Sequence, residues 1–460
     1  MTKVSGWGRA IGSSSDVSHV QSVADLKHIL SGTTPRGVTL RGLGRSYGDA
    51  AINSGGVVAI LGDTPRGAQT LSDIEIDTSR RLARVGAGVS IEQMLQAFMP
   101  AGFFVPVTPG TRHVTLGGAV AADIHGKNHH TDGTFGNHIS SMSVMLSHGE
   151  IVELTPTHNT DWFWATVGGM GLTGVVLEAV IDLIPITNNM ISVTTQRTEH
   201  IDELFTIMSD SSTDDSFRYS VAWVDMMSKG DAFGRGVLTR GNHASVEAVH
   251  DYGDLPSLAY RPRTRLGVPS WFPNGVLNAA TIKTFNELWF RKAPAFPTET
   301  VENVTGFFHP LDGVRHWNRM YGSRGFLQYQ CVVPLNTSDV LKEIMTMMQK
   351  ARVPSFLAVL KRMGPANPGP LSFPMEGWTL AVDIAVGSSR LSEVLPEIDE
   401  KVIAAGGRHY LAKDSHMSHS TLVRGYPHLG RWKAVRNEMD PNEKWTSDLA
   451  RRLQLVGVSQ

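Results

Sequence analysis

Three imidazoles, His125, His129 and His130, fall within the stretch Asp123–His130. Such a group can ligate a metal, but its spacing lacks the HExxH arrangement that sets two ligands on one helix face. The intervening Gly126, Lys127 and Asn128 describe instead a loop beside an anionic ligand, and no metal is expected. Two more glycine-rich stretches precede it, Arg41–Asp49 and Pro109–Ala119. Glycine lets backbone amides approach a phosphate and tolerates positive φ, so clustered glycines beside Ser, Thr and Arg point to a pyrophosphate cradle. With 46 glycines in 460 residues a single cluster would say little, and the inference rests on the order and content of all three. A Rossmann fingerprint would need glycine at Tyr47, and no GxxxxGK[ST] loop occurs, so neither common nucleotide motif fits. Lys361 closes the mainly apolar run Phe356–Lys361, where a phosphate partner explains it better than a surface position.

Alternating strands and helices must hold these loops. Ser90 caps a helix in which Ile91, Met94, Leu95 and Phe98 follow the i, i+3, i+4, i+7 spacing before Gly102 stops it. Strand signals lie at Ile74, Ile76 and Leu82 to Val85, and residues 144–154 read as a hairpin turning at His148 and Gly149. After Pro185 the glycine clusters thin out. Residues 218–224 and 326–333 alternate like antiparallel strands, with a helical pattern over 340–348. On alternation alone Gln328 and Gln330 share one strand face, ordinarily the solvent face.

A length of 460 residues exceeds what one core usually supports, so two domains are expected. Forty-two basic against 43 acidic residues leave a formal charge of -1, which provides no field for collecting nucleic acid. Cys331 is the sole cysteine, excluding an intramolecular disulfide or a thiolate metal cluster. The start has no apolar run of a secretory signal, and no stretch approaches a spanning helix, so any membrane contact is expected to be peripheral. Residues 252–278, with Arg261, Arg263 and Arg265 followed by Trp271 and Phe272, are either a solvated loop or a lip whose arginines meet lipid phosphates while the aromatics enter the interface.

The glycine-rich loops resemble the FAD-binding half of the vanillyl-alcohol oxidase superfamily, in which a Gly-x-Gly-[His or Arg]-Ser loop and a later Pro-Gly-Thr…Gly-Gly segment wrap the flavin diphosphate. Within it the sequence resembles the decaprenylphosphoryl-β-D-ribose 2-oxidase family nearly end to end. The match runs through Gly6–Arg9, Arg41–Asp49, Asp123–His130, Phe135–His138, Phe163–Gly174, His309–Asp312, Phe326–Gln330, Pro370–Pro374 and Ala412–Ser415. The resemblance implies an α+β, two-domain vanillyl-alcohol-oxidase-type FAD-binding fold with an antiparallel-sheet substrate domain. Residues 1–188 would bind FAD, 189–407 would bind substrate, and 408–460 would return to the FAD-binding domain.

The same resemblance implies a flavin site of Leu40, Arg41, Gly42, Leu43, Gly44, Arg45, Ser46, Tyr47, Gly48, Asp49 and Ala50. Gly110, Thr115, Leu116, Gly117, Gly118, Ala122, Asp123, Ile124 and His125 complete the cradle, with Val176 and Tyr410 closing on the ring. Many relatives attach FAD through a histidine where this chain has Arg45, so the cofactor is expected to be noncovalent. Oxidising a secondary alcohol requires a base near the hydride acceptor. His125 and Lys413 are the two candidates, and a lysine there acts either as base or as a fixed positive charge. The implied substrate pocket uses Trp223, Phe308, Asn318, Gln328, Gln330 and Lys361, whose amide and ammonium groups suit ribose hydroxyls and a phosphodiester. The family often has cysteine and asparagine where this chain has Ala381 and Thr379.

The implied activity is FAD-dependent oxidation of the 2-hydroxyl of decaprenylphosphoryl-β-D-ribofuranose, the first half of epimerisation to the arabinose donor for cell-wall arabinan. A short-chain dehydrogenase/reductase partner subunit would complete it, at the cytoplasmic or periplasmic face of a membrane. A soluble alditol or sugar lactone is the alternative substrate class, and a non-catalytic flavoprotein subunit is the alternative outside enzymes.

Overall fold

The computed structural model describes residues 1–457 apart from 33–34, 63–70, 211–213, 254, 263, 265 and 388–389. Among the described residues its first half carries two small sheets besides the short pair of Phe103–Phe104 with Ile184–Pro185. In one, strands Thr2–Ser5, Gly12–His19, Val57–Ile60 and Val38–Arg41 lie side by side in that order. The other orders Ile74–Asp77, Leu82–Gly86, Val175–Asp182, Ile139–Met145 and Ile151–Leu154, all antiparallel. Gly149, at φ 89°, turns the expected hairpin. Helix Ile91–Phe98 begins where its capping residues place it. Ser90 Oγ accepts the Gln93 amide and the Gln93 side chain answers the Ser90 amide, while Ile91, Met94, Leu95 and Phe98 are all buried.

The second half forms one eight-stranded sheet. Its order is Thr298–Asn303, Met190–Thr198, Gly236–His243, Tyr219–Val224, Ala358–Met363, Gly377–Ala385, Phe326–Val333 and Arg408–His409. Register divides its central strands cleanly. Ala222, Leu360, Leu380, Tyr329 and Cys331 face helices Ile201–Ser209, Asp339–Lys350 and Leu391–Ala404 in a common core. Helix Asp339–Lys350 sends Leu341, Ile344, Met345 and Met348 into that core, each burial stabilising by about 1.5–3 kcal/mol. The opposite face is the one that matters for chemistry. The pairs Trp223–Val359, Val359–Ala381, Ala381–Gln330, Lys361–Thr379 and Asp383–Gln328 put these side chains in one row, because successive side chains alternate across a strand.

After Arg408–His409 the chain leaves the large sheet. Residues 411–456 then supply Leu411, Met417, Leu422, Trp432 and Leu449 to the core of the first half. The segment after helix Leu429–Met439 also bridges to the first sheet, pairing Trp445 with Val38.

Candidate active site

The first glycine loop leaves strand Val38–Arg41 and meets two distant segments. A Cβ on Gly42 would fall 2.3 Å from Thr115 Oγ1, and one on Gly48 would clash with the Asp414 carbonyl. Only glycine lets the loop pass between them. Gly44 sits at φ 65°, and the Arg41 guanidinium ties the loop base to the carbonyls of Ala51 and Ser5, at 2.9 Å each. The amides of Leu43, Gly44 and Ser46 donate to no protein acceptor among the described residues, which fits an anionic ligand there. Thr115 caps helix Leu116–Ala121, but the amides of Leu116, Gly117 and Gly118 are bonded to Val89 O, Ala87 O and Thr115 Oγ1. This second stretch therefore packs closely against the first glycine loop, with those amides already bonded within the protein. Gly110 borders open space, and Arg45 lies with its guanidinium carbon 3.9 Å from the Trp7 ring.

Asp123 then aims the histidine loop. It is buried at φ 40°, in the left-handed region, and its carboxylate accepts from Gly136 N at 3.0 Å, Asn367 Nδ2 at 2.7 Å and Ser372 Oγ at 2.5 Å. Those bonds hold a conformation that a non-glycine residue adopts at a cost of about 1–3 kcal/mol. Ile124 is buried beside it, and His125 is brought under the polar row of the large sheet.

Lys361 Nζ lies 3.1 Å from His125 Nδ1, and the Gln330 amide lies 3.1 Å from His125 Nε2 and 3.2 Å from Thr379 Oγ1. Burial and the Lys361 charge push His125 well below its usual range, so the ring is neutral. A neutral imidazole has one N–H. With Lys361 donating to Nδ1, Gln330 must turn its amide oxygen toward Nε2–H. Phe373 and Tyr410 flank the ring at 5.8 and 5.6 Å, and the Tyr410 hydroxyl donates to Ala122 O at 2.8 Å.

Lys413 arrives from the returning segment. Its Nζ lies 3.9 Å from the Tyr47 ring centroid and makes no hydrogen bond or ion pair among the described residues. Asp414 does not pair with it; that carboxylate goes to Arg452 at 2.8 Å. Burial lowers Lys413 to about 8, opposed by Asp383, while burial raises Asp383 to about 7. Asp383 accepts from Gln328 Nε2 at 2.5 Å and from the Tyr321 hydroxyl at 3.4 Å. Lys361 is lowered to about 7 by burial and by the charges of Lys413 and Lys127. Lys127, lowered to about 8 by burial, donates to Phe307 O at 2.6 Å.

The structure thus gathers His125, Lys361, Lys413, Gln328, Gln330 and Trp223, the last donating its indole N–H to Phe356 O at 2.9 Å. Two candidates sit differently. Phe308 is packed among Phe104, Phe307 and Tyr219, and Asn318 donates to Trp7 O at 2.9 Å. Val176 is buried in its strand next to a bulge. Asp383 and Tyr321 were missed in the sequence, where an acid in a strand and an aromatic in a short helix carry no local signal of partnership. The other imidazoles are occupied separately: His129 Nδ1 accepts from Gly364 N and His130 Nε2 bonds Phe217 O. His130 also comes near Asp214 and Asp215, whose carboxylates already face Arg240 and Arg362.

Ala381 stands opposite Gln330 in the polar row, where the resemblance would place cysteine. Cys331 faces the other side of the sheet, buried, with its thiol pushed up to about 12. Incubation and turnover with a nitroaromatic compound that traps a cysteine in this row should leave the intact mass unchanged, because a buried thiol is not a thiolate at working pH. A stoichiometric adduct would contradict this.

A family model described as an FAD binding domain matches residues 17–155, and one described as D-arabinono-1,4-lactone oxidase matches residues 326–453. The chain is 42% identical to decaprenylphosphoryl-beta-D-ribose oxidase of Mycolicibacterium smegmatis, over 99% of this chain and 98% of that protein. An uncharacterized protein of Streptomyces coelicolor is 34% identical over 80% of this chain and 100% of its own length. A shorter likeness, 28% identity, joins 30% of this chain to 32% of a D-lactate dehydrogenase of Archaeoglobus fulgidus.

Proposed function

Since this chain belongs to the decaprenylphosphoryl-β-D-ribose oxidase family of FAD-linked oxidoreductases, we propose that it oxidises the 2-hydroxyl of decaprenylphosphoryl-β-D-ribofuranose to the 2-keto sugar. FAD is its cofactor, and when bound supplies the acceptor for the hydride leaving C2. The unpaired amides of Leu43, Gly44 and Ser46 would hold its phosphates, noncovalently, since Arg45 cannot form the histidyl link.

The observation that carries the reading is the excess of positive charge around His125. Lys127, Lys361 and Lys413 lie close enough that Lys361 is depressed by both of the others, while Asp383 opposes Lys413 and Glu302 opposes Lys127. A phosphodiester relieves that repulsion; an uncharged polyol does not. Lys413, near neutrality and unpartnered, would take the hydroxyl proton, while His125, fixed between Lys361 and Gln330, would orient the sugar. Gln328 and Trp223 border the same pocket.

The lactone-oxidase match over residues 326–453 supports the alternative of a soluble sugar lactone or alditol. Anaerobic mixing of purified protein with farnesylphosphoryl-β-D-ribofuranose separates the two. We expect the oxidised flavin band near about 450 nm to bleach with the ribosyl phospholipid and to persist with xylitol or galactonolactone. Bleaching by the soluble polyols alone would transfer the assignment to them. The 2-keto product then requires a nicotinamide-dependent reductase, for which a short-chain dehydrogenase/reductase partner is proposed, completing formation of the cell-wall arabinose donor. No helix among the described residues is long and apolar enough to cross a membrane, so contact with the lipid substrate is proposed to be peripheral.

A further inference from the structure

Helix Ala279–Lys292 turns only part of its apolar surface inward. Ile282, Asn286 and Phe290 are buried at i, i+4 and i+8, while Phe285, Leu288 and Trp289 form a second stripe facing water. Leu288 is 65% exposed, and Phe285 stacks on Trp289 with centroids 6.1 Å apart. A helix that needs one buried stripe has no use for the second in water. Trp271 is 78% and Leu266 73% exposed in the preceding segment, whereas Phe272 is half-buried. Of the thirteen large apolar side chains exposed among the described residues, nine lie between Tyr252 and Phe296, so the exposure is concentrated and not scattered.

Both pieces rest on one platform. Leu266–Gly267 pairs with Val314–Arg315, Asn274 Oδ1 accepts the Ser323 amide, and Ile282 packs with Trp317, Tyr321 and Phe356. Phe285 meets Phe356 edge-on at 5.7 Å, Phe356 stacks on Tyr321 at 5.7 Å, Tyr321 stacks on Phe326 at 4.1 Å, and Phe326 meets Tyr47, the ring that Lys413 covers. An unbroken aromatic path therefore joins the exposed stripe to the candidate base.

Charge selects the occupant. Residues 255–297 hold six basic residues and one acid, Glu287, in a chain of formal charge -1. Arg263 and Arg265, two of the six, lie outside the described residues. Glu287 is neutralised by Arg235 at 2.6 Å and Arg291 at 2.5 Å, while Lys283 and Lys292 are exposed and form no ion pair among the described residues. Exposed Trp, Phe and Leu flanked by unpaired lysines match the boundary of an anionic bilayer, apolar below and negative at its surface.

We propose that the outer stripe of helix Ala279–Lys292, with Leu266 and Trp271, seats the protein on an anionic lipid surface beside the mouth of the active site. The proposal deepens the reading of a lipid-linked substrate and rests on it only for what the lipid delivers.

The test is flotation of the FAD-loaded full chain with vesicles of phosphatidylcholine alone and of phosphatidylcholine mixed with phosphatidylglycerol. Wild type should float with the mixed vesicles. L288S/W289S should lower that partitioning about tenfold, and K283E/K292E should remove the preference for anionic lipid. Both variants should bleach normally with farnesylphosphoryl-β-D-ribofuranose in solution, which shows that they are folded and active. Failure of wild type to float, or unchanged partitioning of L288S/W289S, overturns the proposal. So does a concentration-dependent dimer that L288S/W289S abolishes without any vesicle binding, which would assign the stripe to a second copy. If vesicle binding follows the expected pattern while the ribosyl phospholipid never bleaches the flavin, the substrate reading fails and the docking surface stands.

Discussion

Lys413→Ala should slow substrate-dependent flavin bleaching by about 10³-fold while FAD stays bound, the loss expected when a general base is removed. Lys413 reaches the row of Gln328, Gln330 and Asp383 from the returning segment, and its ammonium faces the Tyr47 ring, with no carboxylate in contact. Burial holds it at about 8, so its neutral form grows as pH rises through that value, and the rate should rise over the same window in anaerobic stopped-flow. Asp383 supplies the sign test. Its charge raises the Lys413 value, so Asp383→Asn should let burial lower that value further and move the rising limb to lower pH. A limb that moves upward, or a Lys413→Ala variant with wild-type bleaching, would place the base elsewhere. His125 would be next, although its two ring nitrogens are already engaged by Lys361 and the Gln330 amide.

Arg452→Ala should destabilise the protein by about 3–5 kcal/mol, read as an earlier thermal melt together with earlier release of flavin fluorescence. The guanidinium donates to both Asp49 oxygens at 2.7 Å, to Asp414 at 2.8 Å and to Met417 O at 2.7 Å. Asp49 closes the first glycine loop and Asp414 follows Lys413, so one side chain joins that loop to the candidate base. Both carboxylates are buried, and without Arg452 each would be left charged and poorly solvated. Mild acid should narrow the gap between variant and wild type, because protonated carboxylates no longer need the cation. Arg452→Lys should recover only part of the loss, since an ammonium cannot bridge both acids in the planar fork. A variant that melts like wild type would show that this junction is held by apolar packing alone.

Local signals in the chain were sufficient for its local structure. The Ser90 capping box, the Gly149 turn and the apolar spacing of 91–98 depend on residues within one helical turn or one hairpin, and each element formed where those residues put it. The glycine loops were legible for a similar reason: Gly42 and Gly48 are needed whatever lies opposite, because the backbone must pass closely there. The resemblance running through the separate motifs fixed the family.

What approaches those glycines, and which buried charges share a pocket, is a matter of long-range register. Asp383 becomes the partner of Gln328 only because strand Gly377–Ala385 pairs with Phe326–Val333 in one register, and a slip of one residue would turn it into the helix-covered core. The same alternation buries Gln330 against His125, although a glutamine in an alternating strand reads as solvent-facing. Phe308 and Asn318 show the converse, since their side chains are engaged by Tyr219 and by the Trp7 carbonyl, partners far away in sequence. Sequence alone therefore determined the elements, the cofactor class and the family of this protein. The influence of the Asp383 charge on Lys413, the neutrality of His125 and the exposed stripe on helix Ala279–Lys292 were decided by tertiary structure, because burial and proximity set a charge and no residue carries its neighbours in its own type.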